Sequence, residues 1–341
     1  MSAKAASQLT RYSSLKDLAK LPYFDLDETG ELTIADPKYG RAIDVHTHLA
    51  LSYLLPATVD LMRETPAVEH YLPATNPVDL ELYANLNFTP FDLKRMERDL
   101  TIGSLGKTGM RATHTLPNLA RELARLGLQS AVLLPIDAPI LSNNAERWLR
   151  AASGRPDFIG FGSVHPFNPF PARALDRQRR LGARGIKLHP AVQMVGPDHP
   201  RTIHVCRLAG ERNLVVLFHC GPVNIETALG RRLSQVRRYE KVIAECPDTT
   251  FILGHAGALQ YEEGIELARR YPNALVEIAS QSLPGVRRVL EALPRDRVLF
   301  GSDWPFYPIA LPLAKVLIAT EGDEALREAI LFRNAERLFH G

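Results

Sequence analysis

The sequence contains few cysteines, no long apolar run and little excess charge. Its three cysteines, Cys206, Cys220 and Cys246, are odd in number and lack Cys-x-x-Cys spacing, so we expect reduced thiols in a cytoplasmic protein. No apolar stretch reaches the roughly 18 residues of a membrane span, and the polar N-terminus lacks a signal-peptide core. The formal net charge of +3 comes without a long basic run, which argues against nucleic acid as a partner.

The remaining composition is that of an ordinary globular protein. Of the 341 residues, 45% are hydrophobic and 23% are charged, as in typical soluble domains. This length accommodates one large α/β barrel or two ordinary domains, and either can bury a sizeable core.

A regular alternation of apolar strands and helices runs through most of the chain. The predicted strands are 42–48, 129–134, 158–164, 184–188, 214–219, 250–255, 274–279 and 298–303. The predicted helices are 116–126, 143–152, 171–181, 201–212, 225–246, 262–271, 286–293 and 325–339. Nearly continuous apolar strands that alternate with helices indicate a parallel sheet, and eight repeats favour a (β/α)₈ barrel over an open sheet.

Two regions fall outside this alternation. Residues 1–40 mix polar residues with a few hydrophobic ones, and we expect an N-terminal arm packed on the main domain, residues 41–341. Residues 49–114 form a long insertion after the first strand, with a charged helical stretch at 91–100. Insertions of this length in a compact domain are usually functional, so we expect this one to shape the substrate pocket.

Metal-binding side chains recur where the apolar strands end. His46 and His48 lie two residues apart, so on a strand they project from the same face. His219, His255 and Asp303 each end a later apolar run. Because active sites of (β/α)₈ barrels lie at the C-terminal ends of the strands, we expect these five side chains to converge.

The converging residue types are those of a catalytic metal site. His46, His48, His219 and Asp303 would supply imidazole and carboxylate ligands and leave room for a water. His255 would hydrogen-bond that water or shuttle a proton, and Asp303 could equally act as its base. The alternatives are structural: His255 as a turn residue and Asp303 as the N-cap of a following helix.

Three further residues are candidates for substrate binding. Lys187 and His189 share a face of the fourth strand, and Trp304 directly follows Asp303. A carbamylated Lys187 would bridge two metals, but we favour pairing of Lys187 with a nearby carboxylate or a substrate anion. His189 either lines the pocket or lies in a solvated loop.

Four ordered motifs resemble the amidohydrolase superfamily. They are Asp-Val-His-Thr-His at 44–48, Gly-Ile-Lys-Leu-His-Pro at 185–190, Gly-His-Ala-Gly at 254–257 and Gly-Ser-Asp-Trp-Pro at 301–305. The branch most similar is the amidohydrolase-2 group, which contains the aminocarboxymuconate-semialdehyde decarboxylase-like enzymes. This resemblance implies a distorted TIM barrel with a divalent metal, most often zinc and sometimes manganese. It implies the same roles: His46, His48, His219 and Asp303 as ligands and His255 as the catalytic histidine.

The reaction remains open between two classes of enzyme. Our leading hypothesis is hydrolysis of a carboxylic ester, lactone or amide by a metal-activated water. The alternative is a lyase that decarboxylates or hydrates an aromatic or unsaturated acid, with Arg63, Arg95 or Arg98 of the insertion binding the carboxylate. A noncatalytic scaffold is a third hypothesis. We expect a small-molecule substrate and a homo-oligomer, most simply a dimer.

Overall fold

Eight parallel strands form a nearly closed barrel. A computed structural model describes residues 10–52, 58–138 and 142–340. The barrel strands are β1 (Ile43–Thr47), β2 (Ser130–Leu133), β3 (Phe158–Gly162), β4 (Gly185–Leu188), β5 (Val215–Phe218), β6 (Phe251–Leu253), β7 (Ala274–Glu277) and β8 (Val298–Leu299). Each strand pairs with the next in chain order. The first and last strands meet where Val45 N donates to Phe300 O at 2.9 Å and Thr47 bridges Trp304. The predicted TIM barrel is confirmed.

The strands are apolar on both faces because both faces are covered. One cluster combines side chains from strands all around the barrel, including Val45, Ile159, Leu217 and Leu299, with Phe339 near the C-terminus. A cluster drawn from so many strands must fill the barrel interior. The outer faces pack against the surrounding helices in a larger cluster. Both clusters together give the continuous apolar runs that identify the strands in the sequence.

Helices cover the outside of the barrel. They are α1 (Pro37–Gly40), α2 (Pro90–Leu100), α3 (Leu116–Arg125), α4 (Asn144–Ala152), α5 (Pro171–Arg180), α6 (Pro190–Gln193), α7 (Pro200–Gly210), α8 (Ala228–Leu233), α9 (Tyr239–Glu245), α10 (Tyr261–Arg270), α11 (Leu283–Ala292), α12 (Ala310–Ala319), α13 (Glu324–Glu328) and α14 (Asn334–His340). Short 3₁₀ segments lie at Leu15–Lys20, Ala84–Asn87, Ile102–Leu105, Met110–Thr113, Val236–Arg238, Gly254–Gln260 and Arg295–Arg297. Within the described ranges, no helix is both long enough and apolar enough to cross a membrane.

Three helical predictions differ from the structure. The predicted helix 225–246 is divided into α8, a 3₁₀ segment and α9. The predicted helix 325–339 is interrupted by a π-helical segment, Ala329–Arg333, between α13 and α14. Helix α12 was not predicted, because nine of its ten residues are apolar and its one lysine, Lys315, gives no helical alternation of apolar and polar residues.

Residues 10–40 of the N-terminal arm and the described part of the insertion contribute buried side chains to the large outer cluster. In the arm, Leu15, Leu18 and Phe24 are buried in the large outer cluster. Two short antiparallel pairs, Arg11–Tyr12 with Val78–Asp79 and Phe24–Leu26 with Leu32–Ile34, complete this region. Residues 53–57 of the predicted insertion lie outside the described residues.

Candidate metal-dependent active site

A cavity of about 700 Å³ opens at the C-terminal ends of the barrel strands. It is lined by residues that directly follow the strands and by residues of the insertion. The lining includes His46, His48, Leu51, Tyr83, Asn85, Leu93, Met96, Glu97, Leu100, Thr101, Ile136, Lys187, His189, Ala191, Val192, Met194, His219, Val223, Asn224, Ile225, Glu226, Thr227, His255, Asp303, Phe306 and Tyr307. The predicted metal ligands and His255 therefore line one cavity.

The two histidines of β1 present equivalent nitrogens to this cavity. His48 Nδ1 lies 2.7 Å from Leu134 O, and because a carbonyl only accepts, Nδ1 carries the proton. His46 Nδ1 lies 2.7 Å from Glu277 Oε1 and donates in the same way. Each ring therefore keeps Nε2 unprotonated. Hydrogen bonds that hold the remote nitrogen of a histidine are typical of metal ligands.

Asp303 brings its carboxylate to the same point. Its Oδ1 lies 3.4 Å from His48 Nε2 and 3.7 Å from His46 Nε2. The backbone places it there with a left-handed φ of 65°, held by Asp303 N donating to His46 O at 2.8 Å. Ser280 Oγ donates to Oδ2 at 3.2 Å.

His219 and His255 form a second histidine pair beside this group. His255 Nδ1 lies 3.2 Å from Ala279 O and so carries a proton, which leaves His255 Nε2 as an acceptor. His219 Nδ1 lies 3.2 Å from that nitrogen and therefore donates to it. His219 is left with an unprotonated Nε2, as a metal ligand requires. The ring of His189 stacks on His219 at a centroid distance of 4.0 Å.

An unusual turn positions His255 after β6. His255, Ala256 and Ala258 all have positive φ angles, between 50° and 55°, which is costly for residues with a side chain. Gln281 Nε2 compensates by donating to His255 O and to Ala258 O, each at 2.7 Å. His255 N donates to Glu277 Oε1. The motif Gly-His-Ala-Gly thus forms a fixed turn that directs His255 into the site.

Two buried carboxylates support the site and were missed in the sequence. Glu277, at the end of β7, is fully buried and binds both His46 and His255 N. Asp44 Oδ1 accepts from His46 N at 3.0 Å and from Ser302 N at 2.9 Å, which joins β1 to the segment after β8. A sequence signal did exist, since each acid interrupts an apolar strand.

Burial favours the uncharged form of four imidazoles of the site. It is the largest cause that lowers the pKa of His46, His48, His189 and His219, and for His46 the ammonium of Lys187 adds to the effect. Neutral imidazoles are the form that binds metal ions. Burial likewise raises the pKa of Asp44 to about 7 and raises that of Glu277.

The donor atoms fit a divalent cation. The ligand atoms of His46, His48 and Asp303 lie within 4.8 Å of one another. Two neutral imidazoles and a carboxylate suit zinc and other first-row metals, and three protein ligands leave the fourth position of a catalytic zinc site to water. His219 lies outside this compact group, and as a further ligand it would make the ion five-coordinate with that water. His46, His255 and Glu277 also form a compact group. There the Glu277 oxygen already accepts from His46 Nδ1 and His255 N, so we interpret Glu277 as orienting those residues.

The substrate-binding candidates fall in different places. Lys187 is fully buried, and its Nζ lies 3.1 Å from His46 Nε2, whose lone pair can either accept from this amine or bind a metal ion. His189 lines the cavity. Trp304 is fully buried outside the lining, where its indole nitrogen donates to Glu122 Oε2 at 2.8 Å. A residue enclosed in this way contacts other protein groups, so we do not retain Trp304 as a substrate contact.

Solved structures share this fold at low sequence identity. An uncharacterised TIM-barrel protein from Bordetella bronchiseptica is 20% identical, covering 88% of this chain and 98% of its own, with a TM-score of 0.62. A manganese complex of 5-carboxyvanillate decarboxylase from Novosphingobium aromaticivorans is 17% identical, covering 90% and 98%, with a TM-score of 0.58. A probable 2-pyrone-4,6-dicarboxylic acid hydrolase from Acinetobacter baumannii is 13% identical, covering 88% and 100%, with a TM-score of 0.54.

Family membership rests on a separate comparison. No curated protein matches the sequence significantly. The family model Amidohydro_2, described as amidohydrolase, matches residues 43–341, which include the whole barrel and every residue of the site. The chain therefore belongs to the Amidohydro_2 family of metal-dependent enzymes that act on small molecules.

Proposed function

We propose that the protein is a metal-dependent hydrolase of carboxylic esters, lactones or amides. The observation that carries this proposal is the convergence of His46 Nε2, His48 Nε2 and Asp303 Oδ1 on one point of the cavity. His219 would complete the ligand set, with zinc as the ion that suits these donors. A divalent cation at this point would lower the pKa of a water and polarise a carbonyl oxygen.

The proton chemistry falls to residues at the edge of the ligand group. The Asp303 carboxylate is the most accessible acid there, with its side chain 13% exposed, and would take the proton of the attacking water. His255 lines the same cavity, and its Nε2, which is an acceptor, would receive this proton from Asp303 and pass it to the leaving group. Ser280 holds the second Asp303 oxygen and so fixes the orientation of the carboxylate.

Lys187 would stabilise negative charge on the carbonyl oxygen. Its ammonium lies at the floor of the cavity beside His46. Burial lowers the pKa of Lys187 to about 8, and the carboxylates of Glu277 and Asp303 oppose this shift. A positive charge held in a buried site stabilises a developing oxyanion far better than one in water.

Nonoxidative decarboxylation is the second candidate function, and Lys187 is the observation that favours it. The same ammonium could bind a carboxylate attached directly to the reacting carbon. By contrast, Arg63, Arg95 and Arg98 of the insertion all lie outside the cavity lining. Arg95 is instead paired with Glu69 at 2.5 Å. The arginine clamp that would support the lyase is therefore not seen in the lining.

One assay separates the two functions. The zinc-loaded and manganese-loaded proteins are incubated with panels of lactones, aryl esters and aromatic acids, with metal-free protein as the control. We expect metal-dependent acid release, followed with a pH indicator, and no carbon dioxide. We further expect Asp303→Asn to lower kcat by about 100-fold or more, the usual contribution of a general base. Evolution of carbon dioxide from the acids without hydrolysis of any ester or lactone would refute the hydrolase.

A further inference from the structure

The charges around the cavity are distributed unevenly. Helix α2 forms one wall and turns four residues at helical spacing toward the cavity. These residues are Leu93, Met96, Glu97 and Leu100. The basic residues of the same helix, Lys94, Arg95 and Arg98, are on its other faces and do not line the cavity. This wall therefore contributes apolar surface and one acid, with no cation.

Lys187 is the single lysine or arginine among the described residues that line the cavity. Its Nζ is 3.1 Å from His46 Nε2, so this charge belongs to the reacting centre rather than to the outer cavity. No arginine lines the cavity, and the sequence places none within 1–9, 53–57, 139–141 or at 341, the residues outside the described ranges. Within a single chain, no described guanidinium therefore lines this cavity.

The outer cavity carries negative charge instead. Glu226 has a side chain that is 8% exposed, and its carboxylate accepts from Val223 N and, at 2.9 Å, from Ile225 N. Arg231 Nε is 4.0 Å away, outside the lining. Glu97 lies exposed on α2, and within the described part of the chain it forms no ion pair. A second carboxylate in this space would meet two acids, apolar groups and neutral polar groups such as Asn224 and Thr227, but no lysine or arginine of the described residues.

From this distribution we propose that the substrate is an uncharged ester or lactone with an apolar body, and that the site rejects substrates carrying a carboxylate away from the reacting carbonyl. The proposal rests on the hydrolase function proposed above. Apolar side chains such as Leu51, Ile136, Val192 and Phe306 would bury the body of the substrate. A remote carboxylate would lose its hydration without gaining a cationic partner. Hydrolysis produces a carboxylate, and repulsion by Glu97 and Glu226 would promote the release of this product.

The direct test compares two lactones of the same shape. Dihydrocoumarin carrying a carboxamide on its aromatic ring is paired with dihydrocoumarin carrying a carboxylate at the same position. With zinc-loaded protein we expect kcat/KM to be about tenfold or more higher for the carboxamide, because the carboxylate would approach Glu97 and Glu226 with no cation of the lining to balance it. Equal values, or a preference for the carboxylate, would overturn the proposal.

Reversing the charge of Glu97 tests the role of the acids that line the outer cavity. Glu97→Arg should reduce the carboxamide-to-carboxylate ratio by about tenfold or more, since it replaces a repelling charge with a partner for the carboxylate. Glu336→Arg is the matched control, because it changes the net charge equally at an exposed position of α14 outside the cavity. The proposal fails if both variants shift the ratio equally or if neither shifts it.

The outcomes distinguish this proposal from the hydrolase function itself. Hydrolysis of both lactones at similar rates would leave the hydrolase standing and refute only the charge selection. Carbon dioxide release from aromatic acids without lactone hydrolysis would refute both. If neither lactone is turned over, calorimetric binding of each to metal-free protein gives the same comparison, and tighter binding of the carboxylate would overturn the proposal.

Discussion

Replacement of Glu277 by glutamine tests how the barrel prepares its metal ligands. Oε1 of Glu277 accepts from both His46 Nδ1 and His255 N, and Oε2 accepts from Ala279 N at 2.7 Å. In Glu277→Gln the amide oxygen must therefore face His46 and His255. The amide NH₂ group then faces Ala279 N, where two donors oppose each other. The variant keeps the ring of His46 in place but removes the negative charge that makes it a better ligand.

The expected loss follows from the strength of these bonds. Hydrogen bonds to an ionised acceptor are roughly twice as strong as neutral ones, so neutralising the bond to His46 Nδ1 costs about 1–2 kcal/mol of metal binding. That corresponds to a metal Kd about 5- to 30-fold higher. The metal-free protein should unfold within a few degrees of wild type. Burial raises the pKa of Glu277, which shows that the fold disfavours the charge that the variant removes.

Competition with a chromogenic chelator for zinc measures the Kd, and circular dichroism follows the unfolding of the metal-free protein. Asp99→Asn is the matched control. Asp99 is a buried carboxylate that accepts from Tyr71 OH at 2.8 Å and from Arg111 N, outside the cavity lining. Burial raises its pKa as well. The reasoning is refuted if Glu277→Gln leaves the Kd unchanged, or if Asp99→Asn weakens zinc binding equally.

Three further predictions concern stability and metal content. A Cβ on Gly221, whose φ is +85°, would lie 1.9 Å from Gly257 O, so Gly221→Ala should cost about 3 kcal/mol or more in urea denaturation. Gly154→Ala, at φ +77° with open space around it, should cost about 1 kcal/mol, and equal costs would contradict this. Burial lowers the pKa of His114 to about 3. Between about pH 6.5 and pH 3, His114 is therefore protonated in the unfolded chain but not in the folded protein. The folding stability consequently falls as the pH decreases through this range. In metal-free His114→Gln the unfolding free energy should fall less steeply with decreasing pH, by about 1.4 kcal/mol per pH unit. Parallel curves of unfolding free energy against pH for wild type and variant would contradict this prediction. Asp303→Ala should lose zinc and turnover while its cooperative unfolding stays near that of wild type, and wild-type activity would contradict the ligand assignment.

The barrel could be predicted because its strands differ so clearly from its helices. A strand such as Val215–Phe218, covered on both sides, is apolar throughout, and the residue that follows it faces the site. This rule predicts that His219, His255 and Asp303 lie at one end of the barrel, and all three line the cavity there. It succeeds because the C-terminal ends of parallel strands must meet at one edge.

Features that depend on contacts between distant segments could not be predicted in the same way. Glu277 stands in the apolar run Ala-Leu-Val-Glu, but only the fold shows that its partner is His46. Helix α12 lacks a polar face because residues 310–318 are all buried, among others by the 3₁₀ segment Leu15–Lys20 and by α11, so the sequence shows no helical period. Trp304 follows a site residue in the sequence, yet Glu122 of α3 holds its indole away from the cavity.

Anomalous diffraction from a zinc-loaded crystal tests the central claim most directly. We expect one strong peak at the C-terminal ends of the strands, about 2.0–2.2 Å from His46 Nε2, His48 Nε2 and an Asp303 oxygen, with His219 Nε2 as a further ligand. A peak elsewhere, or less than about one tenth of an equivalent of zinc after reconstitution, would contradict the account of this chain as a metal-dependent enzyme.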